Sequence, residues 1–365
     1  MATTTFLAPT RGAMPRLRIA LLAPPWVPVP PPTYGGIEQV VAALGAGLVE
    51  RGHEVVLVAA AGSELPGGEV VSPLAELPGI IGEPAADWRH ALAGIDALSD
   101  VDVVIDHSGP LGALLTSRLA VPGLHVTHGP LTAVPVEIYE GIARHFPRLR
   151  LVAISEAQRA SAPTLPFAGV RHNGLDLGPV PFGARPDGHL AFLGRMSPEK
   201  GARDAARIAR AAGVELKIAA KCREPAERQY FDEHVKPYLG GGIEYIGELD
   251  HAEKGVLLRD ARALLAPIDW EEPFGLVFAE AAACGTPVVA TRRGSVPEVV
   301  VDGVTGIVRA TPEELVTALP LVDSLDRVAI RLHAERQFAP ARMVSDYLDA
   351  YALVLEGVDR IALSA

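Results

Sequence analysis

Two patterns of apolar and polar positions alternate along this chain. Short continuous apolar runs read as strands buried on both faces, and longer stretches with apolar residues every three or four positions read as helices packed on them. In the first half the runs at residues 17–23, 55–60, 101–105, 124–127 and 151–154 predict strands, with helices from Gly36 to about Arg51 and over 88–98. A Pro- and Gly-rich stretch, residues 177–188, then reads as a linker. Beyond it, strands are expected at 189–194, 214–220, 243–246, 264–268 and 286–291, with helices running up to Ala212 and over 276–284. An apolar-faced helix over 345–357 follows. Strands alternating with helices through both halves predict an α/β chain of two doubly wound, parallel-sheet domains. Their expected extents are 17–176 and 177–344, after a disordered leader at 1–16.

The chemistry lies where this pattern is interrupted. The stretch Glu271-Glu272-Pro273-Phe274-Gly275-Leu276 leads into an Ala-rich helix whose one acid is Glu280, and Cys284-Gly285-Thr286-Pro287 ends it. Pro273 is expected in the first helical turn, where a missing N–H costs little. Free N–H groups at Phe274, Gly275 and Leu276 would face whatever lies over the helix start, and Gly275 lets a ligand approach closely. Glu280 follows Glu272 by eight residues, roughly two turns and roughly 10 Å along a helix axis. Carboxylates so placed can accept hydrogen bonds from paired hydroxyls; equally, one can be an ordinary acid at a helix start and the other a half-exposed side chain.

Other interruptions are less specific. Gly35-Gly36 at a helix start bares backbone N–H groups suited to a phosphate, or makes a plain tight turn. Trp26 and Tyr34 lie in a long Pro-rich loop and either stack on a sugar or pin the loop. His107 and His128 fall at the C-terminal ends of strands, where doubly wound sheets place ligands. Arg195 and Lys200 occupy a strand-to-helix loop, a fork and a point charge suited to a diphosphate.

Composition narrows the classes. The chain has 365 residues, 49% hydrophobic and 21% charged, ample for two globular domains. A net charge of −11 and 5% aromatics argue against a nucleic-acid partner. Two cysteines, Cys222 and Cys284, imply neither a metal site nor a disulfide framework and fit a cytoplasmic setting. No secretory signal is read at the start, and no apolar run reaches the ~20 residues of a membrane span. The basic cluster from Arg144 to Arg150 allows at most a peripheral membrane contact.

The stretch from Glu271 to Val289 resembles the Glu-x7-Glu signature of retaining glycosyltransferases of the GT-B fold, family 4. Arg195 with Lys200, the Asn173-Gly174-Leu175-Asp176 stretch and the Arg293-Gly294-Ser295 and Asp302-Gly303 turns extend that resemblance over most of the chain from Leu17. The resemblance implies two Rossmann-like domains facing across a cleft, with a last helix (345–365) packing back on the first. It implies donor-sugar contacts from Glu272, ribose contacts from Glu280, and neutralisation of the leaving diphosphate by Arg195 and Lys200. Gly35 and Gly36 would touch the diphosphate, His128 would lie by the donor sugar and reaction centre, Gly247, Glu248 and Leu249 would meet the base, and the N–H groups of Phe274, Gly275 and Leu276 a phosphate or sugar oxygen of the donor. Trp26, Tyr34 and His107 are the acceptor-side candidates. Relatives usually carry a glycine where this chain has Ala219-Ala220-Lys221. The expected reaction is metal-independent transfer, with retention, from a nucleotide sugar, expected to be a UDP-sugar. That co-substrate apart, no cofactor is expected. The acceptor is left open among natural products, lipids and glycans. A nucleotide-sugar hydrolase or epimerase, or an inactive donor-binding scaffold, is the alternative.

Overall fold

The computed structural model describes residues 15–362 except 99, 179 and 185–187, and the side chains as far as 354. Thirteen strands are found among them: β1 Arg18–Leu22, β2 Glu54–Val58, β3 Glu69–Val71, β4 Val103–Asp106, β5 Gly123–Thr127, β6 Leu151–Ala153, β7 Phe167–Val170, β8 Leu190–Arg195, β9 Leu216–Lys221, β10 Ile243–Gly247, β11 Ala263–Ala266, β12 Val288–Thr291 and β13 Gly306–Arg309. They form two sheets, ordered β3-β2-β1-β4-β5-β6-β7 and β10-β9-β8-β11-β12-β13, and every pairing within them is parallel. The order reverses between β1 and β4 and between β8 and β11, the switch points at which such sheets open a crevice. This is the doubly wound, two-domain α/β fold expected from the sequence.

Parallel strands covered by helices on both faces need apolar side chains in both directions. Ile19, Leu21, Leu57 and Ile105 in the first sheet and Leu190, Phe192, Ile218 and Leu264 in the second are almost wholly buried. Burying one such side chain contributes about 1.5–3 kcal/mol. The apolar helix Leu276–Ala283 lies inside the molecule, with Phe278, Ala279, Ala281, Ala282 and Ala283 buried. Small side chains there let the helix Arg327–Gln337 pack against it.

The helix predicted from residue 345 begins at Pro340 and runs to Ala362. Pro suits a first helical turn, so the helix extends to the preceding loop. It lies on the first domain. Arg51 Nη2 donates to Ala341 O at 2.8 Å, Arg171 Nε donates to Asp346 O at 2.7 Å, and Val344 closes on Gly47, where a Cβ would come within 2.7 Å of Cγ2. Other expectations shift. Pro273 precedes its helix instead of opening it, because Gly275 at φ 76° takes the cap position and the helix starts at Leu276. The strands β3, β7 and β13, three or four residues each, are too short for their apolar pattern to stand out. Residues 1–14 of the expected leader lie outside the described residues. The described part of the expected linker is held on the second domain: Gly183 N donates to Cys284 O at 3.1 Å, and Phe182 lies against Gly285.

Candidate active site

The loop before the helix Leu276–Ala283 is fixed from beneath by the turn at Arg293-Gly294-Ser295. Gly294 sits at φ 49°, and a Cβ on it would come within 2.4 Å of the Glu272 backbone, so glycine is required there. Ser295 N donates to Glu272 O at 2.9 Å, and the Ser295 hydroxyl donates to Phe274 O at 2.9 Å. Gly275 is equally constrained, because a Cβ would lie 2.3 Å from the Phe278 ring. These contacts hold Glu272 at 8% exposure at the mouth of the helix. Its Oε2 accepts from Lys200 Nζ at 2.6 Å and from Trp270 Nε1 at 3.1 Å. Lys200 Nζ also lies 4.2 Å from the centre of the Trp270 ring, a cation–π contact.

Arg195 is the last residue of β8, and Lys200 lies in the turn that follows it. Gly201, at φ 81°, presses this loop against β11: a Cβ there would meet Pro267 O at 2.2 Å. Arg195 Nη2 pairs with Glu199 Oε1 at 3.1 Å. Glu280, further along the helix, accepts from Lys254 Nζ at 2.8 Å and from Gln39 Nε2 at 3.4 Å. Gln39 belongs to the first domain, so this carboxylate touches both. His251 completes the bridge, its Nε2 bonded to Pro31 O at 2.9 Å and its Nδ1 to Gln39 Nε2 at 3.0 Å. A carbonyl can only accept, so His251 donates through Nε2–H and accepts from Gln39 at Nδ1.

A cavity of about 470 Å³ lies over this surface. Arg195, Lys200, Glu272, Phe274, Gly275, Leu276 and Glu280 line it from the second domain, and Tyr34, Gly35, Gly36 and His128 from the first. Glu248 and Leu249 line it too, whereas Gly247, at φ 86°, turns the chain at the end of β10. The sequence reading did not assign Gln39, Asn173, Lys221, Lys254 or Trp270 to the site, yet all five line this cavity. Lys221 is the last residue of β9. Buried, its Nζ bonds Glu224 Oε1 at 2.6 Å and Glu227 Oε1 at 3.4 Å and lies 5.6 Å from the Tyr34 ring centre.

A second cavity, of about 500 Å³, opens on the first-domain side and shares Tyr34, Gly35, Gly36 and His128 with the first. Trp26 and His107 line it, so the three acceptor-side candidates come together, although Tyr34 borders both cavities. His107 is only 2% exposed and lies behind His128, its Nδ1 2.8 Å from His128 Nε2. Burial drives the His107 imidazole well below its ordinary range and brings His128 down to about 3, so both are neutral near pH 7. His107 Nε2 is buried without a hydrogen-bond partner among the described residues. A bare acceptor costs less there than an orphaned N–H. His107 therefore carries its proton on Nδ1 and donates it to His128 Nε2, and His128 carries its own on Nδ1. His128 is thus a neutral hydrogen-bond donor. Beneath the pair, His125 Nδ1 bonds Asp106 Oδ2 at 2.7 Å and Nε2 bonds the Tyr139 hydroxyl at 2.8 Å.

Glu38, also missed from sequence, lines the second cavity at 5% exposure. Its signal was the one that marked Glu280, an acid in the apolar stripe of a helix beside glycines. Burial pushes its carboxyl up to about 7, against a smaller lowering by its own backbone N–H.

Two family profiles match successive parts of the chain, one in each domain: "Glycosyltransferase Family 4" over residues 34–178 and "Glycosyl transferases group 1" over residues 187–321. The solved structure of AviGT4, a glycosyltransferase involved in avilamycin A biosynthesis, is 30% identical; the superposition covers 93% of this chain and 98% of that one with a TM-score of 0.71. Among curated proteins, the glycogen synthase of Mycobacterium tuberculosis is 34% identical over 197 residues, 51% of this chain and 46% of that protein. The match thus spans under half of the length of that relative. The phosphatidyl-myo-inositol mannosyltransferase of Mycolicibacterium smegmatis is 29% identical over 80% of each chain.

Proposed function

We propose a donor, a mechanism and a division of labour for this chain, which belongs to glycosyltransferase family 4 and has the GT-B fold: it transfers a sugar from a UDP-sugar, with retention and without a metal. The observation that carries this reading is the Lys200–Glu272 contact of 2.6 Å at the mouth of the helix Leu276–Ala283, with Arg195 and Glu280 lining the same cavity. In this reading the diphosphate lies over Arg195, Lys200 and the helix start, the ribose meets Glu280, and the transferring sugar meets Glu272. Glu272 keeps one free oxygen for sugar hydroxyls, since Oε2 takes both Lys200 and Trp270.

As the bond between the anomeric carbon and the diphosphate oxygen breaks, its electron pair passes to the diphosphate. Two fixed cations and the N–H groups at the helix start stabilise that charge without reorganisation, which supports a metal-free path. The acceptor oxygen bonds to the anomeric carbon on the same face, and its proton goes to the departing phosphate oxygen. His128, as a neutral donor, holds a sugar oxygen in place. Glu271 is an unsuitable nucleophile, because its Oε2 is engaged by Gly294 N at 2.7 Å. No helix among the described residues is long and apolar enough to cross a membrane. Cys222 and Cys284 are free thiols, in keeping with a cytoplasmic setting.

The test is a donor screen by calorimetry and thermal shift with UDP-, ADP- and GDP-sugars, followed by turnover with the tightest binder in a chelator. The reading expects UDP-sugars to bind tightest and activity to survive chelation. Release of free sugar without any glycoside, across a broad acceptor set, would replace transfer by hydrolysis.

A further inference from the structure

The second cavity differs from the first in its charges. Arg195, Lys200, Lys221 and Lys254 line the donor cavity, whereas no lysine or arginine is found among the described residues lining the other. Its titratable groups are Tyr34 before the helix Gly36–Glu50, Glu38 in that helix's first turn, His107 after β4, His128 after β5, and Tyr139 on the helix Ala133–His145. The two imidazoles are neutral, and burial raises both phenols above their ordinary value, so Glu38 is the one group able to carry charge near pH 7. A phosphate or carboxylate in this cavity would meet no counter-charge and would face an acid across a low-dielectric space.

Apart from the hydroxyls of Ser108 and Thr127, the remaining side chains of the wall are apolar, among them Trp26, Val27, Ile81, Leu131 and Pro135. Ile81 is 59% exposed and its neighbour Ile80 70%, so apolar surface continues from the cavity onto its rim. The Glu38 carboxyl receives no hydrogen bond from another side chain among the described residues, although it is nearly wholly buried. A buried carboxyl facing a cavity can accept one hydroxyl there without disturbing an existing pair. Continuity with the donor cavity through Tyr34, Gly35, Gly36 and His128 places that hydroxyl on the side from which a sugar would be received.

On the reading of the site as a glycosyltransferase, we infer that its acceptor is an alcohol without phosphate or carboxylate groups that carries an apolar ring or chain, and that Glu38 accepts a hydrogen bond from the hydroxyl to be glycosylated until the departing phosphate oxygen takes its proton. The ring or chain lies along Trp26, Leu131 and Ile81. Anionic sugars and phosphorylated polyols are disfavoured, because no cation lines the cavity among the described residues.

Binding in the presence of UDP, read by calorimetry, tests this independently of turnover, with phenyl β-glucoside, glucose and glucose 6-phosphate as probes. Burying a phenyl ring predicts roughly tenfold to hundredfold tighter binding of the phenyl glucoside than of glucose. Glucose 6-phosphate should bind no better than glucose. Ile81→Asp, on the exposed rim, should abolish the phenyl preference, and Glu38→Leu should weaken phenyl glucoside binding roughly tenfold or more, with UDP affinity unchanged in both. Preference for glucose 6-phosphate, or equal binding of phenyl glucoside and glucose, would overturn the inference. A preserved phenyl preference with no sugar transferred to any probe would leave the acceptor class standing and overturn the transferase reading instead.

Discussion

Glu38→Gln should stabilise the protein at pH 8 and hardly change it at pH 5. In the folded chain the carboxyl titrates at about 7, against an ordinary value of 4.5, because burial disfavours the anion. A raised folded value means that stability is fully present below 4.5 and is lost as the pH rises through about 7. The loss amounts to about 3 kcal/mol at pH 8 and less than about 1 kcal/mol at pH 5. Gln keeps the shape of the protonated acid and carries no charge at either pH. Of the groups sharing its cavity, His107 and His128 stay neutral through this window, so they do not titrate with it. For a chain of this size about 3 kcal/mol corresponds to a Tm rise of roughly 4 °C. Differential scanning calorimetry of both proteins at the two pH values reads the effect, and other groups cancel in the difference. An equal offset at pH 5 and pH 8, or a variant less stable than wild type at pH 8, would refute the assignment, because it would mean the carboxylate is held by a partner.

Lys200→Ala should weaken UDP binding roughly tenfold to hundredfold while hardly affecting uridine, since a charge-assisted bond contributes about 1.5–3 kcal/mol; equal losses for both by calorimetry would move Lys200 away from the diphosphate. Glu280→Gln should raise the donor KM and weaken UDP, whereas Glu272→Gln should lower kcat more than UDP affinity, because sugar orientation matters most in the transition state. The opposite pattern in steady-state kinetics and calorimetry would reverse the polarity of the two acids. In ¹⁵N spectra of labelled histidine at pH 7, His128 should carry its proton on Nδ1 and remain neutral down to pH 5; a protonated Nε2 would reverse the donor and acceptor of the His107 pair.

What the sequence made legible follows from what breaks a local pattern. Two doubly wound domains were readable because parallel strands buried on both faces appear as continuous apolar runs. Glu280 was readable as one acid in an Ala-rich helix, and Gly35-Gly36 as a bared helix start. The structure brings these residues together with Arg195, Lys200 and Glu272 around one cavity. Contacts between distant segments were not legible. Gln39 reaches Glu280 across 241 residues and His251 across 212, and no periodicity encodes such a meeting. The His107–His128 bond depends on β4 and β5 being neighbours in the sheet, which strand patterns alone do not fix. Glu38, an acid in the apolar stripe of the helix Gly36–Glu50, carried the same signal as Glu280. Pro273 misled because its fixed φ suits a helix start, while the positive φ of Gly275 places the cap two residues later.

The central claim, transfer with retention by fixed cations, is tested most directly by the anomeric configuration of the product. UDP-α-glucose labelled with ¹³C at the anomeric carbon is incubated with the protein, phenyl β-glucoside and a chelator, and the product is read by NMR. An α-linked product is expected, formed at an unchanged rate in the chelator and lost in Lys200→Ala. A β-linked product, or transfer that stops when divalent ions are removed, would contradict it.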